Sequence, residues 1–189
     1  MDAVQKLDHA FFQRSAIELA RDLIGTIIVR RFRNKEFRAR IIETEAYVGA
    51  HDLASHASKG RTRRTEVMFG PGGYAYVYLI YGMYDMFNIV ASSAEDPQAV
   101  LIRGAISLDG WEADLSGPGK LARGLKITRA QNGLNLTGDQ LFLLPNPDHR
   151  PRIVTTKRIG IDYAKEWKDA LLRFVDSTGS PRLNGKSSS

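Results

Sequence analysis

Short β-branched and aromatic runs, joined by brief connections, set the fold class. Thr26 to Arg31 and Phe37 to Val48 are two such runs with Arg33-Asn34-Lys35 between them, the pattern of a hairpin. Tyr74 to Ile80 is followed by Gly82 and then by Phe87 to Ala91, a second hairpin with its tip near Tyr81-Gly82-Met83. Further strands are expected over Ala99 to Arg103, Gln140 to Leu144 and Arg152 to Thr155. Few spacings suit a β-α-β crossover, so the order points to α+β rather than a doubly wound α/β sheet. Ser15-Ala16-Ile17-Glu18 has the spacing of a capping box, and Ile17, Ala20 and Ile24 recur at helical spacing before Gly25 ends the helix. Ser116 to Leu125 reads as a short helix with Pro118 in its first turn.

The expected fold is therefore α+β, a single domain over residues 1–189: a mainly antiparallel curved sheet with flanking helices and a protruding hairpin, ending in a frayed segment over about 184–189. With 43% apolar residues the chain can build a core, and with no cysteine it can hold neither disulfides, thiolate zinc sites nor a cysteine nucleophile. The segment from Met1 to Arg14 carries acids and lacks the apolar centre of a signal peptide. No stretch approaches the roughly 20 apolar residues that span a bilayer, so an intracellular, membrane-free protein is expected. The formal charge is +6, concentrated in Arg30, Arg31, Arg33, Lys35, Arg38 and Arg40 and again in Lys59, Arg61, Arg63 and Arg64. Such clusters suit a polyanion such as nucleic acid, or serve solubility alone.

Residues with chemical potential gather in two places. In Ile41-Ile42-Glu43-Thr44-Glu45-Ala46-Tyr47 a strand places Glu43, Glu45 and Tyr47 on one face. Two acids in an apolar strand are costly unless solvated at an edge, paired or functional. His51, Asp52 and His56 follow, but their spacing matches no standard metal-ligand motif. Five of the seven tyrosines, Tyr74, Tyr76, Tyr78, Tyr81 and Tyr84, crowd around the second hairpin. Each alone reads as a half-buried sheet residue. A Tyr-Gly-Met-Tyr tip, however, puts large apolar groups where hairpins usually carry small polar ones, which fits a wedge that enters a base stack or a partner surface.

In order along residues 7 to 182, the runs Glu43-Thr44-Glu45-Ala46-Tyr47, His56, Tyr76-Val77-Tyr78-Leu79-Ile80-Tyr81-Gly82-Met83-Tyr84, Asn88, Leu101-Ile102-Arg103 and Ser116-Gly117-Pro118-Gly119-Lys120-Leu121 resemble the alkyladenine DNA glycosylase family, the 3-methyladenine DNA glycosylases of the alkylpurine type. The resemblance implies a monomeric, monofunctional repair enzyme with no cofactor and no metal. It acts on double-stranded DNA containing damaged purines such as 3-methyladenine, 7-methylguanine, hypoxanthine or ethenoadenine, and leaves an abasic site. Carried over by position, it implies Glu45 as the general base that activates water, with Arg103 and the Ile159 carbonyl helping to hold that water. Tyr47, His56 and Tyr78 would stack around the flipped base, and Asn88 would exclude guanine's exocyclic amine. Tyr81 would fill the gap in the duplex, with Met83, Tyr84, Arg61 and Lys120 as further DNA contacts. The nucleoid of a bacterium or the nucleus of a eukaryote is the implied compartment. Two positions depart from the family pattern: Asp85 puts negative charge beside the wedge, and Ala170 stands where proline is expected.

The residue chemistry is consistent with that implication. Cleaving a nucleoside C–N bond develops oxocarbenium character on the sugar, which a carboxylate both stabilises and supplies with activated water. A methylated purine is cationic, and aromatic walls attract it by about 0.5–2 kcal/mol per favourable ring. Two other classes share some of these features. A non-catalytic nucleic-acid binder would use the same basic and aromatic surface. A carbohydrate glycosidase would use two carboxylates, though normally set across a substrate rather than side by side.

Overall fold

The computed structural model describes residues 5–179, so the segment expected to fray over 184–189 lies outside the described residues. Eight strands form one sheet in which every pairing is antiparallel: β1 Ile27–Phe32, β2 Lys35–Tyr47, β3 Ala75–Ile80, β4 Tyr84–Ala91, β5 Gln98–Ser107, β6 Leu141–Leu144, β7 Ile153–Thr156 and β8 Arg173–Asp176. The main path runs β3-β4-β5-β2-β1-β6, and β8 joins β2 to β7 off that path. Helices α1 (His9–Phe12), α2 (Ala16–Leu23) and α3 (Pro118–Gly124) complete the regular structure among the described residues with four 3₁₀ turns, so the fold is α+β. Among the described residues no helix is long and apolar enough to cross a membrane.

The capping box forms as the sequence spacing predicts. Ser15 Oγ accepts from the Glu18 amide at 3.3 Å and the Ser15 amide donates to Glu18 Oε2 at 3.1 Å. The buried face differs from the expected one: Ala16, Leu19, Ala20 and Leu23 face inward, while Ile17 is 41% exposed. The i, i+3, i+4, i+7 set that begins at Ala16 covers the sheet, and Ile17 lies one residue, about 100°, around the helix from it. Between β1 and β2 the register Phe32↔Lys35 leaves Arg33 and Asn34 as a two-residue turn with φ of 47° and 59°. That positive-φ pair matches the twist of the flanking strands.

Strand β2 is central. It pairs with β5 along one edge, and along the other first with β1 and then, at Glu43–Glu45, with β8. The reading of an edge strand that exposes its two acids is therefore wrong. Register shifts on either side of Glu43 twist β2 where it passes from one partner to the other. Strand β8 and helix α1 are short elements that the sequence pattern did not signal. The first arginine cluster is largely consumed within the fold. Arg30 is 2% exposed and donates to the carbonyls of Arg31, Gln140 and Lys126, Arg31 pairs with Glu36, Arg38 with Asp109, and Arg40 meets the His149 ring.

The period-two alternation of strands gives the sheet two unlike faces. On one, Ile41, Ala46, Ala75, Val77, Phe87, Ile89, Val100 and Ile102 pack with α2 and α3 into the main core. Thr44 belongs to this face, since its hydroxyl donates to the Ala20 carbonyl of α2 at 2.8 Å. The other face carries Tyr76 and Tyr78 of β3, Met86 and Asn88 of β4, Leu101 and Arg103 of β5, and the two glutamates of β2.

Candidate active site

That second face is not filled by a helix. Loops containing residues 54–56 and 159–163 close over it instead, leaving a cavity of about 270 Å³ whose walls include Tyr47, His56, Tyr78, Asn88, Arg103 and Ile159. The cavity therefore brings together every residue that the family resemblance implies for base binding and water activation, except that Glu45 lies just beneath its surface, fully buried.

The two glutamates differ in what holds them. Glu43 Oε1 accepts from Arg103 Nε at 3.0 Å and from Arg173 Nε at 2.7 Å, so it is the counter-ion of two guanidiniums. Its position depends on Gly104, directly across the ladder, where a Cβ would stand 3.3 Å from both Cβ and Oε2 of Glu43. Glu45 is held mainly by neutral donors: the Tyr47 hydroxyl donates to Oε2 and the Ile159 amide to Oε1, each at 2.8 Å. Arg103 Nε is 3.5 Å from Glu45 Oε1. Burial raises the Glu45 carboxyl above its ordinary range, opposed by Arg103, the Ile159 amide and the Tyr47 hydroxyl and reinforced by Glu43. Burial and the neighbouring Glu45 carboxylate push the Tyr47 phenol far up, so Tyr47 remains a hydrogen-bond donor.

The aromatic wall is built from β3 and one 3₁₀ turn. The His56 and Tyr78 rings lie 4.4 Å apart at 69°, and His56 Nδ1 and the Tyr76 hydroxyl share a hydrogen bond of 2.9 Å. Burial, assisted by Arg64, lowers His56 to about 4, so its ring is neutral near pH 7. Asn88 is 3% exposed, its amide nitrogen donating to the Tyr76 and Met86 carbonyls at 3.1 and 3.3 Å. His51, Asp52 and His56 face three different partners: His51 packs edge-on against Trp167, Asp52 pairs with Arg158, and His56 meets Tyr76.

At the connection between β3 and β4, Tyr81 and Gly82 both take positive φ, 52° and 66°, and the Met83 amide donates to the Ile80 carbonyl at 3.2 Å. Tyr81 is 84% exposed and Met83 66%, whereas Tyr84 leans against Gly119 at the start of α3. Asp85 is offset by Arg129, whose Nε is 3.3 Å from Oδ1. Ala170 has φ −64°, which proline also adopts, but its amide donates to the Trp167 carbonyl at 3.3 Å. Both cations named from the sequence as DNA contacts are engaged by acids. Arg61 bonds Glu66 and Glu95, and Lys120 bonds Asp114 at 2.6 Å. Sequence reasoning missed Arg173, Arg158 and Tyr163. For Arg173 the only signal was the alternation in Arg-Phe-Val-Asp, and for Arg158 its place immediately before Ile159.

The family model for methylpurine-DNA glycosylase matches residues 10–180. A candidate 3-methyladenine DNA glycosylase of Anaeromyxobacter sp. (strain Fw109-5) is 46% identical over 90% of this chain and 88% of its own. One from Legionella pneumophila (strain Corby) is 43% identical over 90% of this chain and 94% of its own, and one from Natranaerobius thermophilus 41% identical over 89% and 94%. With matches of this extent, the chain belongs to the methylpurine-DNA glycosylase family of DNA-repair hydrolases.

Proposed function

We propose that the protein extrudes alkylated or deaminated purines from duplex DNA into the aromatic cavity and hydrolyses the N-glycosidic bond with water activated by Glu45. The observation that carries this reading is the Glu45 carboxylate: buried, fixed by Tyr47 and the Ile159 amide, and backed by Arg103 at the cavity floor. In the reaction the C1′–N9 bond breaks with its electron pair passing to the purine, which departs neutral when it is a cationic N-methylated base and otherwise departs as an anion that takes a proton from solvent. The water oxygen bonds C1′, and the water proton passes to Glu45. Positive charge developing on the sugar faces the same carboxylate. Arg103, with the Ile159 carbonyl, orients the water. Because Glu43 engages Arg103, the guanidinium is held in place without donating its full charge to Glu45.

Tyr47, His56 and Tyr78 stack on the base, and a neutral His56 adds no charge of its own against an N-methylated purine. Asn88 restricts the edge where guanine carries its amine. Tyr81, with Met83 and Tyr84 beside it, occupies the space vacated in the stack. Exposed cations flank this turn on both sides, Arg63 and Arg64 next to Tyr78, and Arg123 and Lys126 next to Tyr84. These are better placed for phosphate contacts than Arg61 or Lys120, whose donors already meet acids. The product on this reading is an abasic site without strand scission.

The test is single-turnover excision on duplexes carrying one 3-methyladenine, 7-methylguanine, hypoxanthine or ethenoadenine, with abasic product revealed by alkali. Excision at a damaged purine that persists in excess chelator, forms no borohydride-trapped adduct and weakens steeply between about 50 and 200 mM salt is expected. Tight binding to these duplexes with no abasic product would instead identify a non-catalytic binder.

A further inference from the structure

We infer that the buried Asp52–Arg158 pair is a positioning device for the general base, a step that rests on the assignment of Glu45. Both side chains are fully buried. Arg158 Nη1 and Nη2 reach Asp52 Oδ2 and Oδ1 at 2.5 and 2.9 Å, a two-point fork that fixes the guanidinium plane. From that plane three contacts lead to Glu45. Arg158 Nη1 also donates at 2.9 Å to the carbonyl of Ala46, the residue next to Glu45. The guanidinium carbon lies 4.8 Å from the centre of the Tyr47 ring, whose hydroxyl donates to Glu45 Oε2. The residue after Arg158 is Ile159, whose amide donates to Glu45 Oε1.

Asp52 anchors the other end. Its carboxylate accepts from the Val48 and Ala54 amides at 3.2 and 3.0 Å, which ties the chain leaving β2 to the loop that bears His56. One ion pair thus links the strand that carries the base, the segment that donates to it and the loop that walls the pocket. Neither Asp52 nor Arg158 lines the cavity, and no hydrogen bond or ion pair of either reaches Glu45 directly. Their effect passes through Tyr47 and Ile159, and a shift of about 1 Å in such a constellation is enough to cost roughly 100-fold in rate.

The primary variant is Asp52→Asn combined with Arg158→Gln, which removes both charges together and so leaves no lone buried ion. Single-turnover excision of hypoxanthine is expected to fall 10- to 100-fold while lesion-duplex affinity changes less than threefold. The acidic limb of the pH–rate profile is expected to move to higher pH, because Glu45 loses the Tyr47 and Ile159 donors that favour its ionised form. The groups that still face Glu45 are Arg103, Glu43, Tyr78 and Tyr163, with Arg173 bonded to Glu43. None of them is altered. A purely structural pair would lower the melting temperature but leave the rate per folded molecule and the acidic limb in place, and that result would overturn the inference. If the double variant does not fold, Arg158→Lys carries the same test, since it keeps the charge but loses the two-point fork. An unmoved limb and a wild-type rate in folded Arg158→Lys would equally overturn it. Failure of the underlying assignment is distinguishable, because Glu45→Gln would then excise at the wild-type rate.

Discussion

Glu43 and Glu45 stand two residues apart on one face of β2 and are equally hidden from solvent, yet their surroundings are opposite. Glu43 sits between Arg103 and Arg173, its charge matched and its oxygen occupied. Glu45, just beneath the cavity, has two neutral donors and one more distant guanidinium. Burial alone therefore does not separate the two acids; the donors that meet them do. At Glu45 burial outweighs the donors that favour the ionised form, which leaves the carboxylate basic enough, on the proposed reading, to take a proton from water.

The sharpest way to break this comparison is to neutralise each acid in turn. Glu45→Gln is expected to lower the single-turnover excision rate by about 10²–10⁴, the usual contribution of a positioned general base, with lesion binding retained. Glu43→Gln is expected to lower the rate of the folded enzyme far less. Its larger effect is on stability, because the nearly buried Arg173 loses its counter-ion and Arg103 its nearer one, at a cost of about 3–5 kcal/mol. For a chain of this size that is a drop of roughly 10 °C in melting temperature. Equal rate losses in the two variants would mean that the acids act as a unit.

Stability sharpens the contrast from the other direction. The ordinary value of the Glu45 carboxyl is 4.5, and the fold raises it, chiefly by burial. Below about 4.5 the group is protonated in both folded and unfolded chains and costs nothing. As pH rises through the folded value, the unfolded chain releases its proton more readily, so the native state loses stability. Glu45→Gln removes that loss. Its melting temperature is expected to exceed wild type near pH 7 and to converge with it near pH 4, while the wild-type excision rate rises over the same interval. A glutamine variant less stable than wild type at pH 7 would show that the Arg103 contact outweighs burial.

Much of this contrast was legible in the sequence, and the unreadable part has a physical cause. Alternation placed Glu43, Glu45 and Tyr47 together, and the Arg33-Asn34-Lys35 turn and Ser15–Glu18 cap announced themselves through local chemistry. What separates the acids came from far along the chain. Arg173 lies on a four-residue strand, and Arg158 reaches Asp52 across more than a hundred residues. Tertiary pairing also overrode the charge pattern, since Arg61 looked available only until Glu95 approached it. In α2 the period was legible, but its phase was set by which residues the sheet could accept.

The smallest expected effect concerns the turn between β3 and β4, where the cavity meets solvent. Tyr81 is 84% exposed and holds a φ of 52°, a conformation that a bulky residue adopts at some cost. A side chain so little packed in the free protein contributes almost nothing to its stability, which leaves it free for the role proposed for it in the complex with DNA. If its ring replaces the stacking of the extruded nucleotide, Tyr81→Ser forfeits about 1 kcal/mol, the low end for one stacked base, or roughly a fivefold decrease in the extruded fraction. The decrease should be greatest for a lesion that still pairs well and least where a mismatch has already loosened the stack. Tyr81→Gly should impair extrusion similarly while slightly raising the melting temperature, because glycine adopts positive φ without strain. Fluorescence of an extruded ethenoadenine, followed alongside thermal melting, reads both quantities. A normal extruded fraction in both variants would remove Tyr81 from the DNA contact and confine the distinction between β2's two glutamates to the cavity alone.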